Sequence, residues 1–183
     1  MVGIRQYGVF TWVFRTFQLA IDTIVLALAS ALVNQQTSGG SPGKINFSVA
    51  VGSFAILTFF LTAVGRFLPT ILGNPWLIAF YDFVNWVFAL TGGCCIAVAI
   101  RVHACDNQKY LDRNHYTQGS MRRCQELKAL CFFLWFMFGL YVASFIVQIF
   151  IAKNDTPNYT FRGRGRGKGS GPAVAPRPVM SAV

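Results

Sequence analysis

Two cysteines and two histidines lie in one polar segment, HACDNQKYLDRNHYTQGSMRRC, which runs from residue 103 to residue 124. His103, Cys105, His115 and Cys124 could bind zinc, which prefers thiolate sulfur and imidazole nitrogen. If the segment faces an oxidising compartment, the two cysteines could instead form a disulfide. The spacing lacks the Cys-x-x-Cys pair of most structural zinc sites, so we favour the disulfide. Two unpaired thiols are the third alternative.

The segments that must position this polar stretch are strongly apolar. The chain of 183 residues is 54% hydrophobic and 12% charged, whereas soluble domains carry about 25% charged residues. A membrane span needs about 20 mostly apolar residues. Four stretches reach that length: 9–33, 47–68, 76–100 and 127–152. We therefore predict an all-α membrane protein, a bundle of four transmembrane helices within residues 1–152.

Orientation follows from the cysteines more than from the basic residues. Four spans place both termini on one face, and lysine and arginine are divided almost equally between the two faces, so the preference of these residues for the cytosol does not decide. A disulfide requires loop 101–126 to be exoplasmic. We therefore expect cytosolic termini, and we expect the glycosylation sequons at Asn46 and Asn158 to remain unmodified.

Ionisable side chains interrupt the apolar spans. Each costs roughly 2.5–3.5 kcal/mol at the centre of a span and usually faces a partner. Arg15, Arg66 and Asp82 fall at similar depth, which predicts an ion pair of Asp82 with Arg15 or Arg66. Asp22 lies deeper, where Asn85 is the polar residue nearest in depth. Such a cluster could fix the register of the helices or, alternatively, line a transport path; we favour the first role.

Residues 153–183 have the composition of a disordered tail, because they are rich in glycine, proline and arginine. A basic run comprises Arg162, Arg164, Arg166 and Lys168. Beside a membrane, each such residue contributes about 1 kcal/mol to binding anionic lipid. An Arg-Gly segment could also bind single-stranded RNA. We favour anionic lipid of the inner leaflet and expect no nucleic-acid partner.

The sequence contains no recognisable catalytic constellation. Lys44 follows a glycine-rich stretch, GGSPGKI, but the serine or threonine that a phosphate-binding loop needs after the lysine is absent. The Gly-x-Ser-x-Gly motif of hydrolases is also absent. We therefore expect neither enzymatic activity nor a cofactor.

The third span and the following loop carry a resemblance to a known family. The stretches YDFVNWVFALTGGCCIAVAIRVHACDNQKY and YTQGSMRRCQ, together with the final PVMSAV, resemble the fungal non-classical export protein 2 family of MARVEL-domain membrane proteins. The matching positions are Asp82, Phe83, Asn85, Val87, Phe88, Ile100, Arg101, His103, Cys105, 117–120, Arg123, Cys124, Pro178, Ser181 and Val183. The Gly-interleaved basic tail departs from the family pattern.

The resemblance implies a four-helix, MARVEL-like plasma-membrane protein with cytosolic termini. It implies a role in organising eisosomes and sterol-rich furrow-like membrane domains, in responding to sphingolipid and in unconventional secretion. Sterol, sphingolipid and other membrane proteins, including further copies of this chain, would be its partners. The alternative function is a small-solute or ion transporter that uses the charged cluster.

Overall fold

The structure is a computed structural model that describes residues 3–36, 39–40, 42–67, 74–101 and 104–155. It contains five helices in these ranges: α1 Gly3–Asn34, α2 Gly43–Phe67, α3 Pro75–Ile100, α4 Gln108–Arg113 and α5 Met121–Asp155. No strand occurs in the described ranges, and α1, α2, α3 and α5 are long and apolar enough to cross a membrane. The predicted all-α class with four membrane helices is confirmed. The predicted disordered tail begins too early, because residues 153–155 are the last residues of helix α5; the remainder of the predicted tail lies outside the described residues.

Local sequence explains where α3 begins and ends. The side chain of Asn74 accepts a hydrogen bond from the backbone N–H of Trp76 at 3.0 Å, and proline occupies the first helical position, where its missing N–H is not needed. Arg101 ends the helix in the left-handed conformation with φ 47°. The boundaries therefore agree closely with the predicted span 76–100.

The fourth membrane helix is longer than its apolar core. α5 begins at Met121, whereas the predicted span begins at residue 127. The additional residues, MRRCQE, are polar but carry good helix formers. Hydropathy reports where a helix enters lipid, not where it starts, which is why the first turns of α5 were assigned to the loop.

The four long helices form a closed ring of neighbours. α1 packs against α2 and α5, while α3 packs against α2 and most extensively against α5, so that α1 and α3 lie diagonally opposite. Fully buried apolar side chains from all four helices meet at the centre, among them Val25, Ile45, Ile96, Leu130 and Leu134. This arrangement places any polar residue that points inward against at least two other helices.

Glycines set two of the closest approaches between helices. A Cβ atom at Gly52 of α2 would lie 3.0 Å from the Cβ of Leu26 and 3.1 Å from the α1 backbone. At Gly93 of α3 a Cβ atom would lie 3.3 Å from the indole nitrogen of Trp135 in α5. Small residues at these positions therefore let the helices pack closely within one chain.

Candidate functional site

The centre of the polar interior is a bidentate ion pair. Arg15 of α1 donates from Nη1 to Oδ1 of Asp82 at 2.6 Å and from Nη2 to Oδ2 at 2.7 Å. Ser144 of α5 donates to the same Oδ2 at 2.7 Å. The side chain of Asp82 is 1% exposed and that of Arg15 12%. Through one carboxylate, α3 is therefore connected to both α1 and α5.

The structure brings Asp82 together with Arg15, one of the two partners that equal depth suggested. The side chain of the other candidate, Arg66, lies outside the described residues. Gln18, one turn further along α1, extends the cluster: its Oε1 accepts from Arg15 Nη1 at 3.2 Å and its Nε2 donates to the carbonyl of Leu140 at 3.4 Å. Each of these bonds joins α1 internally or to α5.

Asp22 has a different partner from the one predicted. Its side chain is fully buried, and its Oδ2 accepts a hydrogen bond from the hydroxyl of Tyr141 at 2.8 Å. Asn85 instead donates to Thr58 Oγ1 of α2 at 2.8 Å and to the carbonyl of Tyr81 at 3.0 Å. The predicted pairing of Asp22 with Asn85 is therefore not formed. Nearness in depth did not predict the partner, because the two side chains contact different helices, α5 for Asp22 and α2 for Asn85.

These contacts give every membrane helix a polar connection to another one. Arg15 and Asp22 anchor α1 to α3 and α5, and Asn85 anchors α3 to α2 through Thr58. Hydrogen bonds of this kind fix the rotation and the vertical register of helices that apolar packing alone would leave adjustable. In the part of the chain that the structure describes, no group of three or more His, Cys, Asp or Glu side chains could hold a metal ion.

The polar loop is closed by a disulfide between Cys105 and Cys124, whose Cα atoms lie 5.8 Å apart. The bond joins the start of the loop to the first turn of α5 and packs with Leu111 of α4 in a small buried cluster. Paired sulfurs are not thiolates and do not bind zinc, so the zinc alternative does not apply to this state. Of its other two ligands, His115 is exposed and His103 lies outside the described residues.

Side chains of the loop also cap the last carbonyls of α3. The hydroxyl of Tyr110 donates to the carbonyl of Ile100, and Asn114 Nδ2 donates to the carbonyl of Ala99 at 3.0 Å. A helix end otherwise leaves such carbonyls without partners. The loop is consequently fixed against the end of α3, a feature that composition did not reveal.

Arg123, one of the positions that carry the family resemblance, provides a second anchor whose role the sequence did not indicate. It is 2% exposed although it is charged, donates from Nε to the carbonyl of Tyr116 at 2.8 Å and from Nη2 to Oε1 of Gln36 at 2.5 Å. The residue therefore ties α5 to the loop and to the segment after α1. In the sequence, nothing about its charge or spacing distinguishes Arg123 from the nearby basic residues Arg122 and Lys128 as the buried one.

The predicted lipid-contacting run of Arg162, Arg164, Arg166 and Lys168 lies outside the described residues. Four helices long and apolar enough to span a membrane, with a disulfide-closed loop between α3 and α5, define the class of the molecule: it is a multi-pass membrane protein.

Residues 8–147 match the MARVEL family model, described as a membrane-associating domain, and the chain belongs to this family. It is 32% identical over 138 residues to non-classical export protein 2 of Saccharomyces cerevisiae, covering 75% of this chain and 79% of that protein. It is 34% identical over 151 residues to non-classical export protein 102 of Candida albicans, covering 82% of this chain and 88% of the relative.

A third relative, non-classical export protein 2 homolog 1 of S. cerevisiae, is 31% identical over 129 residues, which cover 70% of this chain and 71% of the relative. No solved structure matches the chain.

Proposed function

We propose that the protein is a non-enzymatic organiser of the plasma membrane that helps to build eisosome-associated, sterol-rich, furrow-like domains and responds to sphingolipid. Its relatives are named non-classical export proteins, and we extend to this chain a contribution to unconventional secretion. In this proposal both termini are cytosolic and the disulfide-closed loop is exoplasmic, where a disulfide persists.

The observation that carries the proposal is the Arg15–Asp82 pair. Two short hydrogen bonds join the opposite charges, and the hydroxyl of Ser144 donates a third hydrogen bond to the carboxylate of Asp82. A transport site needs polar groups that are free to exchange partners with a solute. Arg15, Asp82 and Ser144 bond to one another instead, which supports a structural role for the bundle and leaves function to its outer surface.

That outer surface is rich in large apolar side chains. Five phenylalanines on the helices are largely exposed: the exposed fraction is 42% for Phe83 and 57–65% for Phe60, Phe80, Phe132 and Phe150. In a membrane these rings contact lipid or neighbouring proteins. We propose that this surface mediates association with sterol and sphingolipid, with further copies of the chain and with other membrane proteins of the same domains.

We further propose that the basic run in the tail contacts anionic lipids of the inner leaflet. Four basic residues at about 1 kcal/mol each would hold the tail to a negatively charged surface. Replacing all four by glutamine tests this contact, with vesicle sedimentation of the isolated tail peptide as the measurement.

Localisation and rescue test the organising role. In cells that lack the chain, the number of furrow-like domains seen by fluorescence microscopy should fall and should recover on re-expression. The competing function is tested with purified protein reconstituted in liposomes, which should show no solute or ion flux above that of empty vesicles. Flux that depends on Asp82, with domain number unchanged, would replace the organiser by a transporter.

Topology is tested separately with a membrane-impermeant maleimide. In a variant with Cys94, Cys95 and Cys131 replaced by serine, reduction of intact cells should make Cys105 and Cys124 reactive from outside. Labelling that requires permeabilised cells would reverse the orientation while leaving the four-span fold unaffected.

A further inference from the structure

An open cavity of about 550 Å³ lies at the loop end of the bundle, between the end of α3 and the polar loop. Its cationic lining comprises four side chains from three parts of the chain: Lys44 of α2, Arg101 at the end of α3, and Lys109 and Arg113 of α4. Among the described residues that line it, none carries a carboxylate. The cavity therefore concentrates positive charge in one concave place, which favours an anionic ligand.

None of the four cations forms an ion pair with an acidic side chain of the described residues. Within the described part of the chain, the ion pairs are those of Arg15 with Asp82 and of Arg122 with Glu126. The loop carboxylate of Asp112 instead accepts a hydrogen bond from Gln108 at 2.9 Å. The charge of the cavity is thus available to a ligand from outside the chain.

The cavity walls are held in place by the loop contacts already described. Asn114 and Tyr110 line the cavity and cap the carbonyls of Ala99 and Ile100. These bonds remove the two nearest free acceptors at the negative end of the α3 dipole, which would otherwise repel an anion. Lys44 is held over the ring of Tyr116 at 5.4 Å from its centroid.

The cavity opens where the helices meet the edge of the bilayer. Its wall includes Val98, which is 66% exposed, and Ala99, both in the last turn of the membrane helix α3. An anion bound here would have lipid chains beside it. The ligand that combines an anionic group with an apolar tail at this depth is a lipid.

We propose that this cavity binds the phosphate of an anionic phospholipid headgroup in the leaflet on the loop side. Arginine side chains match phosphate oxygens with paired N–H donors, and lysine adds a compact positive charge. Zwitterionic headgroups carry their own cation and would be bound more weakly by a positive cavity. The inference rests on the cavity and on the membrane-spanning length of α3, and it is independent of the proposed organising role.

The test uses the full chain purified in neutral detergent and native mass spectrometry with phosphatidic acid as the probe. One phosphatidic acid should bind saturably to each chain. Exchange of Lys109 and Arg113 for glutamine should weaken binding about 30-fold, equivalent to two contacts of about 1 kcal/mol at 1.4 kcal/mol per factor of ten. Both side chains are exposed, and an unchanged unfolding temperature would show that the variant is folded.

The matched control removes two other positive charges at the same end of the bundle, with Arg122 and Lys128 replaced by glutamine. Neither lines the cavity, so binding should change less than threefold. Equal weakening in both variants, or none in either, would overturn the site. Equal binding of oleate would overturn the choice of phosphate over other anions. Glycerol phosphate binding as tightly as the lipid would overturn the choice of a membrane lipid over a soluble phosphate.

Discussion

Exchange of Asp82 for leucine is the most informative perturbation of the bundle. The substitution removes both acceptors of Arg15 and leaves a guanidinium that is 12% exposed without its counter-charge. Breaking a buried pair by removing one partner costs about 3–5 kcal/mol. For a chain of this size, that is roughly a 6–20 °C fall in unfolding temperature at 2–4 °C per kcal/mol.

The complementary variant removes both charges. Replacing Arg15 by methionine and Asp82 by leucine together removes both charges of the pair, and such apolar replacements of buried pairs are often neutral or stabilising. Ser144 loses its acceptor but can donate to a carbonyl of its own helix. We therefore expect the double variant to unfold at or above the temperature of the original protein.

The assay is thermal unfolding of the purified protein in detergent or nanodiscs, monitored by circular dichroism. It compares the original protein with Asp82→Leu, Arg15→Met and the double variant. The physical argument predicts a large coupling between the two sites. If the double variant is destabilised by the sum of the single effects, then the pair is not what holds α1, α3 and α5 together, and the structural interpretation of the cluster is refuted.

Three further predictions use the same unfolding measurement. Gly52→Val should destabilise the bundle by about 1–3 kcal/mol, because the added Cβ would meet the α1 backbone. Its control is Gly139→Val, which should cost less because no atom lies within 4 Å of a Cβ at that position. Equal destabilisation by the two substitutions would contradict the packing argument. Asp22→Asn should be tolerated far better than loss of Asp82, because one Asp22 oxygen has no hydrogen-bond partner among the described residues; a loss of 3 kcal/mol or more would show that its charge is needed. Replacing Cys105 and Cys124 by serine should cost about 3 kcal/mol and abolish the effect of added reductant, so a variant still sensitive to reductant would contradict this pairing.

The four spans were predictable because hydropathy and length report a direct requirement of the bilayer. An ion pair of Asp82 with Arg15 or Arg66 was also predictable from the sequence, since opposite charges at similar depth in lipid have few other partners. Helix rotation was not accessible, and for that reason Asp22 was assigned to Asn85 instead of Tyr141. Tyrosine in an aromatic-rich span gives no signal that its hydroxyl points inward.

The loop shows the same division between composition and geometry. Its two cysteines suggested a disulfide because of their position between spans, and the structure contains that bond. The capping of α3 by Tyr110 and Asn114 depends on a short helix, α4, which the polar sequence did not predict. Six residues with one buried apolar side chain, Leu111, give too little periodicity to be recognised.

The polar side chains of α1 bear on how the protein is made. Arg15 finds its carboxylate 67 positions later, and Asp22 finds its tyrosine 119 positions later. At about 5–20 residues per second, Asp22 waits roughly 6–24 s for that hydroxyl to be synthesised. In a ribosome-bound chain, the polar side chains of the first helix therefore lack their hydrogen-bond partners, and lipid does not replace these partners. We expect a chaperone of the insertion machinery to shield this helix. Chains truncated before α5 should accordingly be degraded faster than the full chain in a pulse-chase measurement, and equal lifetimes would show that no such shielding is needed.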